Sequence, residues 1–362
     1  AEAERPDLVV VGPEAPLVAG LVDRVEAAGI PAFGPSAAAA QLEGSKAFAR
    51  AACARFGIHQ PGFTVCTDIG SARAAIAASG GACVIKADGL AAGKGVVVAD
   101  TAAEAEDAAA EMLDGRFGDA GATLLVEERI TGPEASLFAL VDGADVLFMG
   151  SAQDHKRAYD GDKGPNTGGM GAVSPSPRLT DALQQQVMDE IVRPLARGMA
   201  DEGTPYRGIL YVGLMLTGDG PQVIEFNCRL GDPEAQVILP RFRSDLVAAM
   251  VATVEGTLGN VSLRWDNRSA VTVVMAAEGY PGAYEKGSVI SGTEGADASD
   301  SVMLFHAGTK IDDAGIVTAH GGRVLAVTGL GDDAGTARAA AYAAVDGIDW
   351  PGGFCRRDIA AG

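Results

Sequence analysis

The strongest constraint on this chain is a six-residue alternation, Ile224-Glu225-Phe226-Asn227-Cys228-Arg229. A strand turns successive side chains to opposite faces, so Glu225, Asn227 and Arg229 share one surface while Ile224, Phe226 and Cys228 meet a core. The polar face is either a site or the wet side of a half-buried strand. A carboxylate beside an amide supplies the hard oxygens that suit Mg2+. The strand runs directly into Leu230-Gly231-Asp232-Pro233-Glu234, a turn carrying two more acids.

Composition narrows what such a site can serve. With 362 residues, 48% of them apolar, the chain can bury a large core and form two or three domains. Its 48 acids outnumber 28 bases, giving a formal charge of −20. That argues against general nucleic-acid or anionic-membrane binding, because phosphate backbones are held mainly by Lys and Arg. A bound phosphate must therefore meet a local basic cluster. The five cysteines (Cys53, Cys66, Cys83, Cys228, Cys355) are widely spaced and form no CxxC pair. They suggest neither a disulfide framework nor a zinc site, and fit a reducing cytoplasm. No apolar run is long enough to span a bilayer, and AEAERPD lacks the order of a signal peptide.

Along the chain, DLVVVG reads as a buried strand, LVAGLVDRVEAAG as one helix and IPAFGP as a short strand, together the tail of an α/β unit. Ser45 and Gly57 bracket a helix. Residues 61–130 carry a compact α+β pattern resembling a small lid, with Thr101 and Glu104 as a capping box. A hairpin turns near Asp142-Gly143, and QDHKRAYDGDKGPNTGGMGA reads as a long polar loop of the kind that is functional or disordered. A helix over roughly 181–202 and two strands follow. VSLRWDNRSA marks a boundary before a last region of strands and one helix.

VIKADGLAAGKGVVV places Lys86 on a strand and Lys94 in a glycine-rich turn. It is not a Walker A loop, since Asp88 and Gly95 stand where that motif needs glycine and Ser or Thr. Glycines let backbone N–H groups approach a polyphosphate, and the lysines supply charge that the acidic chain otherwise lacks. The bland alternative, a hairpin with two exposed lysines, fits poorly with Lys86 inside an apolar strand. In LVEERITGPEAS, Glu127, Glu128 and Glu134 could accept from an adenine amino group and ribose hydroxyls, or form a solvated rim. Of the four histidines only His155, beside Lys156 and Arg157, falls in a functional-looking loop. No Ser-His-Asp or Cys-His order stands out, so a nucleophilic mechanism is not suggested.

Taken together, VVGPEAPLVAG, FGPSAAAAQLEGSK, VIKADGLAAGKGV, QDHKR, GPNTGGMGA, IEFNCRLGDPEAQ and FHAGTK resemble the phosphoribosylamine–glycine ligase family, also called glycinamide ribonucleotide synthetase. These pieces span almost the whole chain, and RLGDPEAQ departs from the family's RFGDPE by one apolar exchange. The resemblance implies an α/β and α+β multidomain protein. Residues 1–40 would be a remnant of an N-terminal Rossmann-like, pre-ATP-grasp domain; 41–260 an ATP-grasp domain with its lid at about 61–130; and 261–362 a small β-rich C-terminal domain.

It further implies ATP as co-substrate, with Lys46 and Lys86 on phosphate oxygens and Gly93, Lys94 and Gly95 folding over them. Glu127, Glu128 and Ile130 would line the adenine, and Glu134 would hold the ribose. Glu225 and Asn227 match ligands for Mg2+ or Mn2+; the extra acid of other ATP-grasp enzymes would align near Gly213 and is missing. Arg229 would stabilise the carboxylate or acyl phosphate, and Asp232 and Glu234 would orient the amine or the glycine ammonium. Asp154, His155, Lys156, Arg157, Asn166, Thr167, Gly168 and Gly169 would meet sugar phosphate and glycine. Glu14 is nominated from the first domain.

The implied partners are glycine and 5-phosphoribosylamine, with no nucleic acid or membrane, for a monomer that transiently meets the amidotransferase supplying phosphoribosylamine. The family's opening strand and Gly-Gly-Arg-Glu-His loop have no counterpart before DLVVVG, so a chain without its beginning, or a truncated form, is expected. Two alternatives stand beside the ligase: a different ATP-grasp carboxylate–amine ligase, and a nucleotide-binding module without turnover.

Overall fold

The structure, a computed structural model, describes residues 4–91, 95–296 and 300–361. It separates into two compact units: Ala1–Met149 with Thr180–Leu230 and Asp245–Ser262, and Gly150–Leu179 with Gly231–Ser244 and Leu263–Gly362.

In the first unit, a small antiparallel sheet has the order Phe63–Cys66, Leu124–Glu128, Cys83–Ala87, Val96–Ala99. Helices Ile69–Ala78 and Ala102–Glu111 cover its apolar face, burying Ile76, Ile85, Leu124 and Met112. The second of these helices starts with the expected reciprocal cap, Thr101 Oγ1 accepting from Glu104 N and the Glu104 carboxylate from Thr101 N. A second antiparallel set in the same unit pairs Arg207–Thr217 with both Glu134–Asp142 and Gly220–Asn227. Phe138 and Tyr211, directly opposite each other, pack edge to face at 5.2 Å.

Helix Lys46–Phe56 fixes the first unit's basic residues. Ser45 caps it, its Oγ accepting from Phe48 N at 3.0 Å, and Gly57 closes it in the left-handed conformation.

In the second unit, Gly171–Ser174, Ser269–Ala277, Arg323–Gly331 and Val302–His306 follow one another in an antiparallel sheet. Helix Ala334–Asp346 packs on it through Ala337, Ala341 and Val345.

Three sequence expectations change. LVAGLVDRVEAAG is two helices, Glu14–Val18 and Leu21–Ala27, because Gly20 takes φ +78° between them. DLVVVG is a strand only at Val9–Val10, paired with Ala32–Phe33, and Val10 is 49% exposed rather than buried. The long polar loop contains a hairpin, Arg157–Tyr159 against Lys163–Asn166, turned through Gly161 and Asp162 at positive φ. No helix among the described residues is long and apolar enough to cross a membrane.

The Ser45 hydroxyl also donates to Asp88 at 3.1 Å, so it caps the start of the helix and anchors the turn after the distant strand Cys83–Ala87. Ser45→Ala is expected to cost about 1 kcal/mol, the usual worth of an N-cap, measured as a shift in the urea midpoint at unchanged slope.

Candidate active site

Lys46 and Arg50 lie one helical turn apart on Lys46–Phe56 and so project from the same side. Lys46 Nζ donates to the carbonyls of Ala87 (2.8 Å) and Gly89 (3.1 Å). Asp88 locks the same turn to the start of the helix, accepting from Ala47 N at 2.7 Å. Burial lowers the Lys46 pKa below that of a free lysine, against the opposing pull of Glu225. Gly95 is buried just past this turn, its carbonyl accepting from Ala87 N at 2.8 Å. Gly93 and Lys94 lie outside the described residues.

Lys86 is buried, as its apolar strand requires, and it is paired. Its Nζ sits 2.8 Å from Glu127 Oε2 and donates to the Ile224 carbonyl at 3.0 Å. Glu127, 2% exposed, is therefore not part of a solvated rim. Its other contacts come from Arg50, whose Nε and Nη2 donate to the two carboxylate oxygens at 2.7 and 2.8 Å. Burial alone would raise the Glu127 pKa; Lys86 and Arg50 outweigh it and hold the carboxyl below its ordinary value. Glu128 is exposed and accepts from Gly62 N at 3.2 Å. Ile130 is half-buried, and Glu134 opens its strand opposite Met215. A cleft lined by Phe63, Ala75, Ser79, Glu127, Glu128 and Arg129 runs along the small sheet, but Lys46, Lys86 and Glu225 are not in its lining.

The alternation is only partly kept: Phe226 and Cys228 are buried, but Ile224, at a slip in the pairing, is half-buried like Glu225, Asn227 and Arg229, and the strand ends at Asn227. Gly213 stands directly opposite Glu225, and a Cβ on it would come within 2.9 Å of Glu225 Cγ. The space beside this glycine is thus filled by the neighbouring carboxylate's own stem. Glu43, which the sequence reading did not single out, gathers the strand's end. Its Oε2 accepts from Cys228 N at 2.7 Å, and its Oε1 lies 3.2 Å from Arg229 Nη2. With the Asn227 amide turned so that its nitrogen rather than its oxygen faces these acceptors, the nitrogen donates to Glu43 Oε1 at 3.0 Å and to the Phe226 carbonyl at 3.1 Å, which leaves the amide oxygen as an acceptor. Arg229 Nε reaches Glu14 Oε2 at 3.2 Å. Burial pushes the Glu43 carboxyl up to about 7, with Arg229 opposing.

Glu225 and Asn227 offer two hard oxygens, a donor set that fits a divalent cation. Among the described residues no group of three or more His, Cys, Asp or Glu could hold a metal ion. A cation here would take its remaining ligands from phosphate and water.

In the second unit, Thr167 N and Oγ1 both donate to the Lys156 carbonyl at 2.8 Å, and Asn166 pairs with Arg157 across the hairpin. Asp154 Oδ2 lies 4.0 Å from Lys156 Nζ. His155 accepts from Ala360 N at 3.5 Å, while its Nδ1 is buried with no hydrogen-bond partner. Burial, followed by Arg356, lowers its pKa. Arg323, also missed in the sequence, ties two segments together. Nη1 donates to the carbonyls of Gly168 (2.7 Å), Gly169 (3.3 Å) and Asp232 (2.8 Å), and Nη2 donates to Asp232 Oδ2 at 2.9 Å. Glu234 is buried at the start of helix Ala235–Ile238. The i,i+4 spacing of Lys46 and Arg50 was a usable signal for Arg50; nothing local marks Glu43 or Arg323.

A small antiparallel sheet carrying one lysine, a larger one carrying an acid and an amide, and a basic helix define the ATP-grasp class. Residues 44–235 match the ATP-grasp (A) domain of phosphoribosylglycinamide synthetase, 1–43 its N domain and 270–362 its C domain. The chain is 55% identical to phosphoribosylamine–glycine ligase of Mesorhizobium japonicum over 353 residues, 98% of this chain and 83% of that one. It is also 55% identical to the Brucella melitensis enzyme, covering 98% and 82%. The crystal structure of the Thermotoga maritima phosphoribosylamine–glycine ligase superposes with a TM-score of 0.86 at 34% identity, covering 98% of this chain and 86% of that one. A biotin carboxylase domain from Hydrogenobacter thermophilus shares the fold, with a TM-score of 0.75 at 17% identity, covering 96% and 76%. The chain belongs to the phosphoribosylglycinamide synthetase family.

Gly213→Ala should force the Glu225 stem aside. The expected cost is about 1–3 kcal/mol, as for other overpacked sites, read as a lowered denaturation midpoint.

Proposed function

We propose that this chain ligates glycine to 5-phosphoribosylamine at the expense of ATP, giving glycinamide ribonucleotide, ADP and phosphate, a step of purine biosynthesis. Family membership at 55% identity supports this reading. The observation that carries it chemically is the meeting of opposite charges in the first unit: Lys86 Nζ donates at 3.0 Å to the Ile224 carbonyl, immediately before Glu225, and Arg50, one helical turn from Lys46, donates to the same carbonyl. Two cations beside a carboxylate and an amide suit a polyphosphate accompanied by a divalent cation.

In the reaction, an oxygen of the glycine carboxylate attacks the γ-phosphorus of ATP. The new O–P bond forms as the bond to the bridging β–γ oxygen breaks, giving glycyl phosphate and ADP. The amine of phosphoribosylamine then attacks the glycyl carbonyl carbon, the C–N bond forms, phosphate leaves and the amine loses a proton. Both steps need alignment and charge neutralisation more than an enzyme nucleophile.

Lys46 and Lys86 bind phosphate oxygens, together with Gly93, Lys94 and Gly95. Glu127, Glu128 and Ile130 border the adenine, Glu127 doing so from a carboxylate already held by Arg50 and Lys86, and Glu134 takes the ribose. Glu225 and Asn227 would hold Mg2+ or Mn2+, which when bound would neutralise charge on the phosphates. Arg229 faces the acyl phosphate from its ion pairs with Glu14 and Glu43. Asp232 and Glu234 orient the amine or the glycine ammonium. Asp154, His155, Lys156, Arg157, Asn166, Thr167, Gly168 and Gly169 serve the sugar phosphate and glycine. On this reading the chain divides at 40 and 260, with the lid at about 61–130. The five cysteines are all free, which suits the cytoplasm. A monomer in passing contact with the amidotransferase completes the proposal.

The test is ADP release coupled to both substrates. It should require glycine and phosphoribosylamine together; equal release with other carboxylates and amines would reject the assignment. Glu225→Ala should abolish turnover while leaving the thermal unfolding midpoint within a few degrees of wild type, and full activity at saturating Mg2+ would remove the metal role.

A further inference from the structure

Arg50 is 3% exposed, and nothing in the reaction as described uses it directly. Three of its nitrogens make four hydrogen bonds. Besides the two to Glu127, Nη1 donates to the Val223 carbonyl at 2.7 Å and Nη2 to the Ile224 carbonyl at 2.9 Å. These carbonyls belong to the strand that carries Glu225, at the point where its pairing slips: Gly213 faces Glu225 and Leu214 faces Val223. Ile224 is thereby left without a cross-strand partner, and its carbonyl accepts from both Arg50 and Lys86. One guanidinium therefore joins the helix of Lys46, the strand of Glu127 and the residues immediately before Glu225.

Formal charge gives this arrangement its consequence. A buried carboxylate shared by a guanidinium and an ammonium leaves one positive charge uncompensated. If Arg50 were absent, Glu127 would neutralise Lys86 alone, and the ammonium would have little left for a phosphate.

We propose that Arg50 is a positioning residue for nucleotide binding: by engaging Glu127 through both carboxylate oxygens and holding the Val223–Ile224 bulge, it keeps the charge of Lys86 available to a nucleotide phosphate. This rests on the nucleotide-binding reading above. It belongs with buried ion networks in which removal of one member changes the work of the others.

The discriminating measurement is calorimetric titration of the full chain in Mg2+ buffer, with ADP and separately with inorganic tripolyphosphate, for wild type, Arg50→Met and Arg50→Met/Glu127→Gln. Arg50→Met is expected to weaken both about tenfold, equivalent to about 1.4 kcal/mol. Adding Glu127→Gln removes the anion that has captured Lys86 and should recover most of that loss for tripolyphosphate, which has no base for Glu127 to border. A merely structural role predicts the reverse, a double variant weaker than the single one towards tripolyphosphate, and that result overturns the proposal, as does wild-type affinity in Arg50→Met. Should Arg50→Met not fold, Arg50→Lys decides: retaining the charge, it should stay within about threefold of wild type (about 0.65 kcal/mol), and a larger loss counts against the charge argument. If wild type itself binds no ADP, the nucleotide reading fails instead, so the two failures are separable.

Discussion

The shared carboxylate of Glu127 is the interaction on which the first unit's buried charged cluster depends. Taking a glutamate, an arginine and a lysine out of water is costly, and the cost is offset only when nearly every donor and acceptor is matched. Here Glu127 receives three donors, and the surplus donors of Arg50 and Lys86 end on the carbonyls of Val223 and Ile224. Both cations therefore have backbone acceptors on the strand that carries Glu225 and Asn227. A burial that would be unfavourable for any one member becomes a joint between the helix, the small sheet and the larger sheet of that unit.

A comparable economy governs the end of the same strand. Glu43 takes a backbone amide, an asparagine amide and an arginine onto one carboxylate. Its high pKa reflects how far burial competes with those donors. In the second unit Arg323 does a similar job for backbone rather than side chains, gathering carbonyls of Gly168, Gly169 and Asp232 onto one guanidinium. In each case a planar group with several hydrogen-bonding sites fixes segments that are distant in sequence.

What could be read from the sequence was what local chemistry decides. The capping box of Thr101 and Glu104, the Ser45 cap, the burial of Phe226 and Cys228 and the burial of Lys86 each follow from neighbours within a turn or a pleat, whereas Ile224 is half-buried at a slip in the pairing that no local signal marks. The pairing partners did not follow. An apolar strand says that Lys86 needs an anion, but not that Glu127 supplies it, nor that Arg50 shares it. The break at Gly20 was missed because the apolar periodicity continues across it. The 153–172 segment reads as an open loop because its polar residues hide a hairpin held by its backbone ladder, by Arg157 donating to the Gly164 carbonyl and by the distant Arg356 and Asp358 at its turn. Glu43 lay inside a recognised stretch, yet its role depends on where the end of a distant strand arrives.

The bare Cα of Gly213 has one more consequence. Because the stem of Glu225 occupies the space a side chain would need there, an acid at this position could enter only by moving Glu225. On the reading proposed above, a divalent ion at Glu225 and Asn227 would draw most of its ligands from phosphate and water and so would travel in as a chelate, with the fraction of ATP already complexed in solution setting how readily the enzyme is loaded.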